Sequence, residues 1–319
     1  MMKFARKLCS LLLAVMMVMT ACPVQAVTIT VPINEANFPD ANFRTVVSTF
    51  DKNGDEQLDD AEIAAVTEID CSGKNISSLN GIECFTALTY LDCNGNQLTT
   101  LDVSNNTSLT TLWCNGNRLT TLDVSNNAAL SELYCYENQL TSLDVSKNTA
   151  LTTLWCHENQ LAALDTSKNA ALTGLRCEWN RIATLDVSRN TALDWLLCFA
   201  NQLTALDVSK NTALTTLHCW GNPLTNLDVS KNTKLGNLSC SYNQLTALDV
   251  SRNTALTNLD CGVNQLTALD VSRNTALTEL RCYNNRLTSL DVSKNTALTD
   301  LSCEKNSYDI TLNANRSYD

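Results

Sequence analysis

The feature that most constrains this chain is a cysteine at a fixed interval. Cys93, Cys114, Cys135, Cys156, Cys177, Cys198, Cys219, Cys240, Cys261, Cys282 and Cys303 stand 21 residues apart, with Cys71 one 22-residue step earlier. Apolar residues recur around each in the same register, as Leu88, Leu91, Cys93, Leu98, Leu101 and Val103 do in one unit. A unit this short cannot bury its own apolar residues, so successive units must stack and cover one another. Fifteen cysteines would suggest disulfides in an exported chain. A bridge framework gives no reason for so even an interval, however, and no C-x2-C pair suited to a metal is present. The thiols read as small buried hydrophobes. Cys84 stands outside the series and reads as a free thiol.

Within a unit, alternation turns Leu91 and Cys93 inward and Asp92 and Asn94 outward, as in a short strand. Asn96 follows at a turn, and its equivalents recur through Asn117 and Asn138 to Asn306. A buried amide there can satisfy backbone groups left open by the bend, and stacked amides can bond to one another. Leu101-Asp-Val103-Ser-Asn-Asn106 echoes Leu91-Asp-Cys93-Asn-Gly-Asn96 ten residues later. The echo predicts two short strands per turn, one on each side, with no room for a helix. The pattern L-x-x-L-x-C-x-x-N-x-L-x-x-L-D-V-x-x-N carries the leucine-rich-repeat signature, with Cys in place of one Leu. It resembles the IRREKO class of bacterial leucine-rich repeats and, more loosely, the internalin type, over Val66 to Asn306. That resemblance implies a mainly β, right-handed leucine-rich-repeat solenoid of about twelve turns with short parallel strands. It also implies adhesion or recognition at a bacterial surface, and brings no catalytic residues.

Four segments follow. Residues 1–26 read as an export leader: Lys3, Arg6 and Lys7, then an apolar run from Leu8 to Met19, then Val24-Gln25-Ala26 as a small-residue cleavage site. Two readings of it stay open, soluble secretion after Ala26 or a lipid anchor on Cys22 in Met19-Thr20-Ala21-Cys22. Both place the chain outside the cell or on its surface. Residues 27–65 lack the repeat and read as a small helical N-terminal cap, with Asp40 capping a helix that begins near Phe38–Phe43. The cap contains a segment close to an EF-hand loop, in which Asp51, Asn53, Asp55, Gln57, Asp59 and Glu62 would ligate Ca2+. Glu56 stands where that loop wants glycine, so a non-glycine residue must take a positive φ. The alternative is an acidic helix-turn-helix that shields the first turn and binds nothing. The phenylalanine-rich start and this loop resemble the N-terminal cap of secreted gut-bacterial repeat proteins. Residues 66–306 form the solenoid, and 307–319 a closing strand or tail in which Tyr308, Ile310 and Leu312 alternate with polar residues.

The formal charge is −11, and the leader supplies three of the cations, so the mature chain is more acidic still. That balance excludes nucleic acid, which needs basic patches, and no segment is apolar for long enough to span a bilayer. The D-V-S-x-N half of each unit hardly varies. Its Asp row, Asp102 to Asp291, is interleaved with Lys147, Lys168, Arg189 and their successors, and reads as a mutually neutralising, solvated face. The strand half varies freely at its outward positions and holds the aromatics. Trp113, Tyr134, Tyr136, Trp155, His157, Trp179, Phe199, His218 and Trp220 therefore read as an outward, solvent-available ligand face. The competing reading is a ring ladder that only packs along itself. There is no G-x-S-x-G, no phosphate-binding glycine loop and no H-E-x-x-H, and His157 and His218 lie three turns apart, roughly 15 Å at strand spacing. The expectation is a monomeric binding protein, not an enzyme, that takes a protein ligand. A glycan binder or a passive spacer are the alternatives.

Overall fold

The computed structural model describes residues 30–307 and 311–314. The leader, Cys22, Tyr308 and Ile310 lie outside the described residues. The chain opens with β1 (Val31–Pro32), paired antiparallel with β2 (Gln57–Leu58). Between and after them come two short helices, α1 (Ala41–Val47) and α2 (Asp60–Ala65). Asp40 caps α1 through Oδ1, which accepts from the amides of Asn42 and Phe43. Its other oxygen accepts from the amide and hydroxyl of Ser77, both at 2.8 Å, which ties the cap to the solenoid. Phe38, Phe43 and Phe85 are fully buried, and their rings lie 6.0 and 6.5 Å apart. This aromatic plug covers the first apolar turn, which would otherwise face water.

The solenoid's main sheet is built from three-residue strands, one per turn. These are β3 (Glu68–Asp70), β4 (Tyr90–Asp92), β5 (Thr111–Trp113), β6 (Glu132–Tyr134), β7 (Thr153–Trp155), β8 (Gly174–Arg176), β9 (Trp195–Leu197), β10 (Thr216–His218), β11 (Asn237–Ser239), β12 (Asn258–Asp260), β13 (Glu279–Arg281) and β15 (Asp300–Ser302). All twelve are parallel and in register, so equivalent residues of successive turns stand side by side. The inward Leu of each strand and the Cys after it are buried from Ile69 and Cys71 to Leu280 and Cys282. All thirteen described cysteines are free. Burial drives the ladder thiols up, Cys114 and Cys219 to about 12, so the interior holds neutral thiols that pack as hydrophobes.

The Asn row does the backbone work expected of it. Asn117 donates through Nδ2 to Cys93 O at 3.0 Å and Cys114 O at 3.1 Å, and its Oδ1 accepts from Leu98 N at 2.9 Å. The amides bond to backbone rather than to one another. The second half of the turn departs from expectation. Among the described residues it forms only the bridge Asp102 to Asp123 and, at the far end, a pair between β14 (Ser289–Asp291) and β16 (Thr311–Asn313). The reason is local. Each Asp accepts from the amide two residues on, as Asp144 does from Ser146 at 2.8 Å, and Asn148 N bonds back to Val145 O at 3.0 Å. Such turns consume the groups a strand ladder would use. A second buried Asn row bridges the turns instead: Asn127 Nδ2 donates to Val103 O at 3.0 Å and Asn106 O at 2.9 Å.

Candidate ligand-binding face

Strand alternation turns the first and third residues of each strand outward, and the residue after each cysteine continues that face. Because the strands are in register, aromatic residues on neighbouring turns meet ring to ring. Trp113 packs edge-on against Tyr134 at 5.1 Å, and Tyr134 against Trp155 at 4.9 Å. The row extends to Tyr90 at one end, 6.0 Å from Trp113, and to Trp195 at the other, 6.1 Å from Trp155. Trp195 reaches Trp155 across a whole turn because Gly174 lies between: a Cβ there would come 1.9 Å from the indole. Beside this row, Tyr136 stacks on His157 at 4.3 Å. A second group follows, with Phe199 stacked on Trp220 at 4.3 Å and Trp179 edge-on to Trp220 at 6.0 Å.

The structure therefore divides the nine sequence-predicted residues. Trp113, Tyr134, Tyr136, Trp155, Phe199, His218 and Trp220 are half-buried by their neighbours. Trp179 alone stands clear, at 53% exposure. His157 is not solvent-available: it is 5% exposed, under Tyr136 and beside Trp155 at 6.1 Å. His218 joins Asn237 Oδ1 at 3.3 Å. Most of these rings pack along the face, as the ladder reading expects, and remain partly exposed. Tyr90, Trp195 and Arg176 belong to the same face, outside the nine. Strand alternation already carried the signal for Tyr90 and Trp195, because they stand two residues before an outward position. A second large hydrophobe, Tyr242, is 55% exposed.

A buried polar group sits inside the patch. Glu178 is 1% exposed, and its Oε1 accepts from Arg176 Nε at 2.8 Å and from the same guanidinium's Nη2. Arg176 in turn lies 4.9 Å over the Trp155 ring. His157 Nδ1 comes 4.0 Å from Glu178 Oε1. Burial, helped by the Arg176 charge, lowers His157 to about 4, so the imidazole is neutral near pH 7. Burial raises the Glu178 carboxyl against the pull of Arg176. Tyr134 is pushed up to about 12 by burial and by the Glu132 carboxylate, to which its hydroxyl donates at 3.2 Å.

Trp179 and Tyr242 share one more property. Both take a positive φ, 53° and 52°, as do Glu137, Glu158, Ala200, Val263, Asn284 and Lys305 at equivalent places, alongside Gly95, Gly116 and Gly221. Every turn bends in the left-handed region at this column, and glycine is the residue that does so without strain.

The opposite face corrects one expectation. Asp144, Asp186 and their equivalents are held low chiefly by the following Ser amide and hydroxyl, with the Lys or Arg charge a smaller contribution. None of the ion pairs among the described residues joins the two rows.

In the cap loop, Asp51 accepts from Gly54 N at 2.7 Å and Glu56 N at 2.9 Å, Asn53 from Asp55 N at 2.9 Å, and Asp55 from Gln57 N at 3.0 Å. Asp59 caps α2, and Glu62 accepts from Lys52 N at 2.7 Å and Asp59 N at 3.0 Å. Glu56 takes the expected positive φ, at 62°. These hard oxygens are of the kind Ca2+ prefers. As placed, they hold the loop's own backbone, and among the described residues no three His, Cys, Asp or Glu groups gather as a metal site would need.

Comparison with known proteins gives the fold its relatives. A family of leucine-rich repeats in two copies matches residues 86–127. Internalin J of Listeria monocytogenes serotype 4b is 44% identical over 71 residues, 22% of this chain and 8% of that protein. The functional domain of InlJ from Listeria monocytogenes, described as including a cysteine ladder, is 42% identical with a TM-score of 0.84 over 87% of this chain and 62% of that one. The chain is a leucine-rich-repeat solenoid that resembles the internalins. An internalin (inlF) from the same species, 24% identical with a TM-score of 0.69 over 91% of this chain, shares the fold. The internalin-like chain spans less than two thirds of the InlJ domain it most resembles among these. Among the described residues no helix is long and apolar enough to cross a membrane.

Proposed function

We propose that this chain is an exported binding protein that holds a protein ligand on the strand face, centred on Trp179, Phe199 and Trp220. One observation carries the reading. Trp179 and Tyr242 are more than half exposed, and both occupy left-handed backbone where glycine is the unstrained choice. Folding gains little from either ring, while Trp and Tyr are the usual anchors of protein interfaces. The half-buried rings around them form a pre-ordered floor that loses little freedom on binding. The reading is of a binding module and not a catalyst. The face is open, and the pair His157 and Glu178 is buried away from any substrate.

Under this reading residues 1–26 direct export, with the final location either free or lipid-anchored at Cys22. Mass spectrometry of the mature N-terminus separates the two. The chain acts as a monomer, which light scattering checks. The central test pairs Trp179→Ala with Trp220→Ala. Capture of surface proteins from the natural setting should fall at least ten-fold for the pair, with the melting temperature of the Trp179 variant unchanged. Retained capture, or capture transferred to carbohydrates on a glycan array, overturns the protein-ligand reading.

A further inference from the structure

The strand face carries unpaired negative charge beside its most exposed indole. Glu137, Glu158 and Trp179 follow one another at the left-handed position of three consecutive turns, with φ of 50°, 52° and 53°. Backbone bonds from Glu137 N to His157 O at 3.2 Å and from Glu158 N to Glu178 O at 3.0 Å hold this column in register. Both glutamates are exposed, and neither takes part in any ion pair among the described residues. The two arginines that end strands of this face are already committed. Arg176 is bound by Glu178 and lies over Trp155, and Arg281 is shared between Glu279 at 2.8 Å and Asp300 at 3.4 Å.

A second observation points the same way. Glu178, next to Trp179 and 1% exposed, leaves its Oε2 without a hydrogen-bond partner. It also lies near enough to Glu158 for their charges to repel. A buried, unpartnered carboxyl oxygen is a standing acceptor, and here it belongs to the residue next to Trp179 and within electrostatic reach of Glu158.

We infer that the partner presents a basic segment to this step, with a lysine or arginine laid over the Trp179 indole and its charge between Glu137 and Glu158. The chemistry suits each part. An exposed indole face attracts a cation, and the stem of a lysine or arginine covers apolar surface while its head stays with the carboxylates. The whole chain's charge of −11 steers a basic partner toward it and an acidic one away. The inference rests on the proposed ligand face and narrows what that face accepts.

The probe is a displayed library of random 12-residue peptides, selected on the full chain. Selected peptides are expected to carry lysine or arginine beside aliphatic or aromatic residues, and to bind more weakly as salt rises. The double variant Glu137→Gln, Glu158→Gln should weaken them roughly ten-fold, the sum of two exposed pairs, and Trp179→Ala by a similar factor. Both sites are exposed, so folding is checked by an unchanged melting curve. Peptides that bind the face, and are lost on Trp220→Ala, yet lack basic residues or ignore the glutamine variant would overturn this inference and leave the ligand face standing. Binders indifferent to every one of these variants, or no binders at all, would overturn both.

Discussion

At the scale of single residues, the second Asn row contains its own control. Asn106, Asn127, Asn148, Asn169, Asn211, Asn232, Asn253, Asn274 and Asn295 each leave a buried Oδ1 without a partner. Asn190 does not, because Thr166 stands where the other turns have Val, and its hydroxyl donates to Asn190 Oδ1 at 2.8 Å. A Val→Thr change in a dry core ordinarily costs about 1–3 kcal/mol, since the hydroxyl loses water and finds nothing. Val187 stands in the same relation to Asn211, whose Nδ2 donates to Val187 O at 2.9 Å. Val187→Thr is therefore expected to hold stability within about 0.5 kcal/mol of the parent, or to raise it, in urea unfolding. A loss of about 2 kcal/mol would mean that Oδ1 cannot receive the bond. The buried thiols, leucines and first Asn row were legible because a strict 21-residue interval repeats one environment. The left-handed column was not. Glycine marks it in some turns, but Glu137, Trp179 and Val263 occupy the same place in others, so residue type gives no constant signal for a conformation that the stacked backbone imposes. The burial of His157 was hidden for a related reason: alternation says which way a side chain leaves the strand, and only the size of Tyr136 and Trp155 decides whether it is then covered.

At the scale of elements, the strand face should show its polar centre in acid. His157 falls to about 4 in the folded chain from an ordinary 6.5. Between those values the unfolded chain binds a proton that the folded one refuses, so this residue's contribution to stability is lost as pH drops from 6.5 toward 4. Glu178, raised by burial, works in the opposite sense, because protonating it relieves a buried charge. The Arg176 charge acts on both, lowering His157 and opposing the rise of Glu178. Replacing His157 with Gln isolates its share: the fall in melting temperature between pH 7 and pH 4.5 should be smaller in His157→Gln than in the parent. Equal falls would show that His157 is protonated as easily folded as unfolded. The cap loop offers a second element-level test. Calcium binding there is a proposal that rests on its oxygen donors, which would have to draw together from the backbone amides they now hold. On that proposal about 5 mM Ca2+ raises the melting temperature of the parent and not of Glu62→Gln, in the weak range of extracellular calcium modules. The same melting temperature with and without Ca2+ in the parent removes the loop as a metal site. The second-side strands expected from the ten-residue echo failed at this scale, because the Asp-x-Ser turns such as Asp144 to Ser146 bind locally the amides that a ladder would have shared.

At the scale of the whole molecule, the chain is a one-dimensional stack whose turns touch only their neighbours, so its ends should open before its middle. The cysteines report this directly. From Cys71 to Cys282 the ladder thiols are buried, with burial the chief reason their acidity is suppressed, whereas Cys303 in the last turn and Cys84 beside the cap are only half-buried. The two ends are also unequal. The first turn lies under Phe38, Phe43 and Phe85, while in the last turn Leu301 of β15 and Cys303 after it are only half-buried. Since only the thiolate reacts, alkylation of the native chain at pH 8 should stop at Cys84 and Cys303. In sub-denaturing urea the reaction should then advance from the C-terminal end, Cys282 before Cys261, with Cys177 and Cys198 among the last. Peptide mapping after timed labelling reads that order. Simultaneous labelling of every ladder cysteine would mean the stack opens as one unit, with neighbour contacts too strong for the ends to fray. Labelling that begins at Cys71 would mean that the aromatic plug, and not the bare last turn, is the weaker closure. In either case the sulfurs must be found unbridged, because parallel strands in register give every thiol the same neighbours above and below and so no unique partner to pair with.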